Sequence, residues 1–246
     1  MINKVKLKNI IDKYYLGVNE SVKWDIKDNF LEIDFMTPTK DVIGKVSSKN
    51  FNIKDSQLAI YNTKRLQNLV DICEGDLVLD LDKVGQTFTK LYISDLNFNL
   101  TYPLSDPILI RKVNSVNTPE WDVKVNLEPE DISNLIKAKL ALPQINHMSI
   151  LPSTNLNGDS ILEFIFGGES SYNDKINYQI ESETLNSPQA NSIPFDSNIF
   201  KNILSVNRDM ESSTIYFNSE GLVKFEFSKE DIYCEYFLVR KSETEF

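Results

Sequence analysis

The sequence predicts an α+β protein built as two similar domains, each combining antiparallel sheet with two helices. Three observations point there. Four short segments carry apolar residues at helical spacing, most of the remainder alternates apolar and polar, and the order helix, strands, helix, strands occurs twice. With 246 residues, 41% hydrophobic and 25% charged, the chain can bury one large core or two smaller ones. Its 14 Phe and 10 Tyr make it far too apolar for a disordered acidic chain.

The first helix is expected over 3–15, where Leu7, Ile10, Ile11 and Tyr14 fall at i, i+3, i+4, i+7 and Gly17 supplies a stop. A hairpin follows: Val22, Trp24 and Ile26 alternate, Lys27-Asp28-Asn29 turns, and Leu31, Ile33 and Phe35 alternate again. The second helix spans 62–73, with Asn62 as N-cap and Leu66, Leu69, Val70 and Cys73 on one face. Two or three further strands lie around a turn at 83–86.

The second half repeats the order. A helix over 129–140 opens on Pro129, whose missing donor costs nothing in a first turn, and buries Ile132, Leu135, Ile136 and Leu140. Strands "SILEFIFGG" and "KINYQIES" follow, with Gly167 and Gly168 as a hairpin turn. Residues 182–198 read as loop. The last helix, 196–206, buries Ile199, Phe200, Ile203 and Leu204, and strands close the chain. "YNTKRLQNLV" from Tyr61 matches "FDSNIFKNIL" from Phe195 in its aromatic, cap and apolar positions. The organisation is therefore an N-terminal domain over 1–104, a proline-bearing connector over 105–120 and a C-terminal domain over 121–246.

Catalytic chemistry is hard to place. The lone histidine, His147, has no Cys or Asp pair at metal-ligand spacing and reads as structural. No glycine-rich phosphate loop is present, and Asp80 and Asp82 alternate with leucines as the solvated side of a strand. The expectation is no enzyme, no cofactor and no metal. Cys73 and Cys234 sit in apolar patterns and read as buried free thiols. No run of 18 apolar residues occurs, and "MINKVKLKNIIDKYYLG" lacks an uninterrupted apolar stretch and a small-residue cleavage site, so a cytoplasmic protein is expected.

The charge distribution is more informative. The net charge is -10, which argues against nucleic acid being gripped by the outer surface as a whole. Yet the helices carry cations: Lys4, Lys6, Lys8 and Lys13 on the first, Lys64 and Arg65 on the second, Lys137 and Lys139 on the third, Lys201 and Arg208 on the fourth. Capping electrostatics accounts for part of the pattern on the last two, where acids lead and bases trail. The first helix carries Lys4 and Lys6 near its N-terminus and is poorly explained that way. If the apolar stripes pack on sheets, these cations point away from them, as a surface that attracts a polyanion without reading bases.

In the order and spacing of "FNIKDSQLAIYNTKRLQNLVDI", "LVLDLD", "FNLTYPLSDP", "VNLEPEDISNLIKA" and "IPFDSNIFKNILSVNRDMESSTIYFNSEGLVKFEFSKEDIYCEYFLV", the chain resembles the ring-forming sliding clamps of DNA replication, in particular the T4-type bacteriophage clamps. The resemblance implies a homotrimeric ring of two-domain subunits, with sheets outside and two helices per domain lining a hole around duplex DNA. The ten cations just named would face the DNA. Polymerase and ATP-dependent clamp-loader tails would dock near the connector, at Leu104, Ile108 and Ile110. The implied function is tethering the replicative DNA polymerase for processive synthesis in the phage-infected bacterial cell. The alternative is a non-enzymatic, β-rich phage structural or assembly protein.

Overall fold

The computed structural model describes residues 1–114, 116–168, 174–189 and 191–241. The chain forms two compact units, Met1–Ser115 together with Glu230–Cys234, and Val116–Lys229 together with Glu235–Phe246.

The first unit runs β1 (Ile2–Asn3), α1 (Lys4–Tyr15), β2 (Val22–Lys27), β3 (Phe30–Met36), β4 (Val42–Ser48), β5 (Ser56–Ile60), α2 (Thr63–Ile72), β6 (Asp76–Val84), β7 (Thr87–Ser94) and β8 (Asn99–Pro103). Its strands lie in two layers, ordered β5-β2-β3-β4 and β1-β6-β7-β8, with antiparallel pairings. Beyond β8 a 3-10 turn occupies Pro107–Leu109.

The second unit runs β9 (Val123–Asn126), α3 (Pro129–Ala141), β10 (His147–Thr154), β11 (Ser160–Gly167), β12 (Lys175–Glu181), β13 (Glu183–Thr184), β14 (Ile193–Asp196), α4 (Ser197–Val206), β15 (Ser212–Asn218), β16 (Leu222–Lys229) and β17 (Ile232–Val239), of which Ile232–Cys234 are counted with the first unit. The orders here are β14-β10-β11-β12 and β9-β15-β16-β17, with the short β13 added outside β9. Set β13 aside and the two orders coincide, strand for strand and helix for helix. The repeat read from sequence is thus a repeat of topology.

Local chemistry explains where each helix begins. Asn3 caps α1 by accepting from the Val5 amide at 2.9 Å, and Asn62 caps α2 by accepting from the Arg65 amide at 2.8 Å. Before α3, the Glu128 amide donates to Asp131 at 2.9 Å with Pro129 in the first turn. Asp196 accepts from the amides of Asn198 and Ile199 at the head of α4. The β2–β3 hairpin turns through Asp28 and Asn29, both at positive φ (52° and 60°), the pair a two-residue hairpin favours.

The apolar stripes pack onto the sheets. Leu7, Ile10, Ile11 and Tyr14 are fully buried, as are Leu66, Val70, Cys73, Phe200, Ile203 and Leu204; Leu69 and Ile199 are half-buried. Trp24 anchors the first core between Tyr14 and Phe51, each edge to face at 6.4 and 6.0 Å. The second core brings Phe200 against Phe164 at 5.7 Å, tilted, and against Phe225 at 5.5 Å, edge to face. Gly44 is required by packing: a Cβ there would meet the Phe35 ring at 2.3 Å.

Two readings need correction. In α3 the buried residues are Ile132, Leu135, Ala138 and Lys139, with Leu142 buried at the C-cap, while Ile136 is half-buried and Leu140 is 61% exposed. The 3-and-4 spacing continues through a lysine, which an apolar search skips. The segment 182–198 is not all loop: it contains β13, β14 and the head of α4. Gly167 and Gly168, where the turn is expected, both have positive φ (74° and 85°), and residues 169–173 lie outside the described residues. Both cysteines are buried and free.

Candidate nucleic-acid interface

The faces of the helices opposite the cores carry most of the cations, and their surroundings sort them. In the first unit, α1 lies beside α2. Lys8 pairs with Asp71 of α2, and Lys4 donates to the Asp71 carbonyl at 2.8 Å. Lys6 pairs with Asp231 at 2.5 Å and donates to the Lys49 carbonyl at 3.0 Å. Lys13 is only 1% exposed. The basic character of α1 is therefore largely committed within its own unit.

Lys64 and Arg65 differ. Both are exposed in the first turn of α2. Lys64 Nζ donates to Gln67 at 2.8 Å, and Arg65 reaches the Tyr61 hydroxyl at 3.5 Å; neither side chain makes an ion pair among the described residues, although the Lys64 amide donates to the Glu20 carboxylate at 3.1 Å. Gln67 in turn donates to Asp12 of α1 at 2.5 Å. Burial raises the pKa of Asp12, against the lowering by that hydrogen bond and by Lys8.

In the second unit, Lys137 and Arg208 are exposed, Lys201 is half-buried, and none of the three makes an ion pair among the described residues. Lys139 is 3% exposed and turns inward, donating to the carbonyls of Leu142 and Pro143 at 3.3 and 3.0 Å. It closes the C-terminal end of α3. Desolvation lowers its pKa, with the Lys201 charge acting in the same direction. Lys13 and Lys139 are thus placed in the interior, and a flat reading of helix cations could not separate them from Lys64 or Lys137. The signal available was period: each falls on its helix's core-facing stripe.

The three connector residues also part. Leu104 is half-buried, its amide donating to the Thr89 carbonyl at 2.9 Å. Ile110 is half-buried, and Ile108 is 84% exposed. Leu109, which sequence reasoning left out, is 73% exposed. Beside them a cavity of about 340 Å³ is lined by Lys23, Asp25 and Asp34 of the sheet and by Pro107, Ile108, Ile110, Arg111, Lys112 and Val113. Burial raises the pKa of Asp34, partly offset by Lys45 at 3.6 Å.

Among the described residues no three His, Cys, Asp or Glu side chains gather as a metal site. The arrangement offers binding surface: two helix pairs with outward cations, a residue type that suits phosphate rather than base edges.

The fold is that of the sliding clamps. One similar solved structure is a complex of PCNA from A. fulgidus with the C-terminal region of FEN-1, at TM-score 0.76 and 15% identity, covering 99% of this chain and 98% of that one. Proliferating Cellular Nuclear Antigen from Entamoeba histolytica matches at TM-score 0.72 and 14% identity, over 98% and 96% of the two chains. The PCNA2-PCNA3 complex from Sulfolobus tokodaii matches at TM-score 0.73 and 11% identity, over 99% and 98%. No protein-family model and no curated protein matches the chain.

Proposed function

We propose that this protein is a DNA sliding clamp: a subunit of a closed ring that encircles duplex DNA and tethers a DNA polymerase for processive synthesis. The observation that carries the reading is the agreement of the whole two-unit chain with clamp structures, over nearly the full length of both partners. The order of sequence segments favours a T4-type phage clamp, a homotrimer acting in the cytoplasm of an infected bacterium.

The physics of the chain supports the reading. A loaded clamp must hold DNA without gripping it. The outward cations Lys64, Arg65, Lys137, Lys201 and Arg208 attract phosphate and carry no sequence information. The chain's net charge of -10 opposes adsorption of DNA elsewhere. Ring closure also has a structural basis in the open edges. β8 ends the order β1-β6-β7-β8, and β12 ends the order β14-β10-β11-β12. Among the described residues neither has a strand on its outer side. Pairing β8 of one copy with β12 of the next is a head-to-tail contact, the kind that generates rings when its rotation closes.

Retention is then topological, and the benefit to a polymerase is effective concentration at the primer end. One of the similar structures holds the C-terminal region of FEN-1 on PCNA. By analogy, polymerase and loader tails dock here beside the connector, at Leu104, Ile108 and Ile110. ATP is hydrolysed by the loader, and this chain does no chemistry. The alternative of a structural or assembly protein requires neither outward cations on helices nor paired open edges.

The test is solution mass, followed by retention of loaded protein on nicked circular DNA and on the same DNA linearised. The expected result is a trimer that stays on the circle and runs off the linear form. Equal retention on both would remove the topological mechanism.

A further inference from the structure

We infer that Asp71 competes with DNA phosphate for Lys8 and so sets how weakly the helix pair of the first unit holds the duplex. This rests on the reading that the outward helix faces meet DNA, and it names a residue that limits the contact. Asp71 is exposed in the last turn of α2, where the negative end of the helix dipole disfavours a carboxylate and no basic residue of that turn offsets it. Its partner comes from α1. Lys8 forms an ion pair with the Asp71 carboxylate, and Lys4 donates to the Asp71 carbonyl at 2.8 Å. Lys8 and Asp71 both act electrostatically on Asp12, so one ammonium serves two carboxylates.

The matching places in the second unit carry the opposite pattern. The alignment that sets Leu66 against Phe200 also sets Gln67 against Lys201 and Asp71 against Ser205. On α1 and α3, Asn9-Ile10-Ile11 matches Asn134-Leu135-Ile136, which sets Asp12 against Lys137 and Lys8 against Ser133. Where the first unit places two acids and a base that answers them, the second places two lysines and no acid. The acids are therefore not required by the fold that the two units share. The pair is also exchangeable: the Lys8 and Asp71 side chains are 36% and 41% exposed, and an ion pair so solvated is worth little. Phosphate can take Lys8 only by leaving the Asp71 carboxylate unpaired beside it, so the exchange gains little. A clamp that must move along duplex benefits from phosphate contacts that are partly cancelled within its own surface.

The probe is a short fluorescein-labelled duplex of mixed sequence, titrated with the intact protein by anisotropy across a potassium chloride series. Asp71→Asn, which keeps the shape of the side chain, should bind about fivefold more tightly at low salt. Its log K should fall more steeply with log salt, by about 0.9, the increment for one added phosphate contact. Asp71→Ser should do the same, and circular dichroism checks that both variants fold. Adding Lys8→Met to Asp71→Asn should abolish the gain in slope, because the gain belongs to the freed ammonium. An unchanged slope in both Asp71 variants, or a gain that survives Lys8→Met, would overturn the inference. So would weaker binding, which would make Asp71 a tie that positions the outward cations. Failure of the parent and every variant to bind duplex even at low salt would overturn the nucleic-acid interface and the inference with it, a result distinct from binding with an unchanged slope.

Discussion

The two helix pairs share an order and a packing scheme, yet they dispose of their cations differently. In the first unit the four lysines of α1 hold that helix in place: Lys8 and Lys4 on Asp71, Lys6 on Asp231, Lys13 in the interior. The cations left to solvent come from α2. In the second unit only Lys139 turns inward, and α3 and α4 each contribute outward charge through Lys137, Lys201 and the adjoining Arg208. The lesson is that a helix's formal charge does not measure what it offers to a polyanion. What counts is the charge remaining after its neighbours' carboxylates and its own core-facing stripe are taken into account.

The largest effects should come from breaking the shared packing scheme. Phe200 on α4 and Leu66 on α2 occupy matching places and are fully buried. Phe200→Ala should cost about 3–5 kcal/mol and Leu66→Ala about 2–5 kcal/mol. The chain has two tryptophans, Trp24 in the first unit and Trp121 in the second. Urea unfolding followed at each, with the other replaced by Phe, should show Leu66→Ala moving the Trp24 transition first and Phe200→Ala the Trp121 transition. Identical shifts at both probes would mean that the units unfold as one.

Next in size is DNA affinity. Lys64→Glu with Arg65→Glu should weaken binding to duplex by about tenfold or more at low salt and flatten the salt dependence. The same reversal at Lys4 and Lys8 should have a smaller effect on DNA, because Lys8 is already paired with the Asp71 carboxylate and Lys4 is tied to the Asp71 carbonyl. Its cost should instead fall on stability, within about 1 kcal/mol for partly exposed pairs. Equal losses of DNA affinity from the two double variants would erase the distinction between committed and outward cations. Lys13→Met and Lys139→Met test the interior pair: each should leave the salt slope unchanged.

How much of this was legible can be argued residue by residue. The four helices were, since their caps and stripes are local: Asn62 and Asp196 announce α2 and α4 by side-chain chemistry alone. The split of each unit's strands into two layers was not, because alternation reveals a strand but not its neighbour. The burial of Lys139 was half-legible. Its spacing from Ile132 and Leu135 placed it on the stripe, but only the fold supplies the Leu142 and Pro143 carbonyls that make an interior ammonium tolerable. The pairing of Lys6 with Asp231 spans 225 positions and has no local signal at all.

The smallest predicted effect sharpens the comparison where α1 meets α2. Asp12 accepts from Gln67 and has its pKa raised above the ordinary 3.8, burial being the leading cause. A raised folded-state value means that folding disfavours the carboxylate. The penalty is present in full above the folded pKa and absent below 3.8, where the group is protonated in both states. Asp12→Asn keeps an acceptor for Gln67 while removing the charge. It should stabilise the protein at neutral pH by less than about 1 kcal/mol, solvent screening limiting the gain. The advantage should shrink as pH falls through the folded pKa and vanish below 3.8. With one negative charge fewer beside Lys8, duplex affinity should rise slightly. Destabilisation at neutral pH would instead show that the ionised carboxylate's bond to Gln67 outweighs its burial, making Asp12 a tie between the helices and α2's outward cations dependent on it.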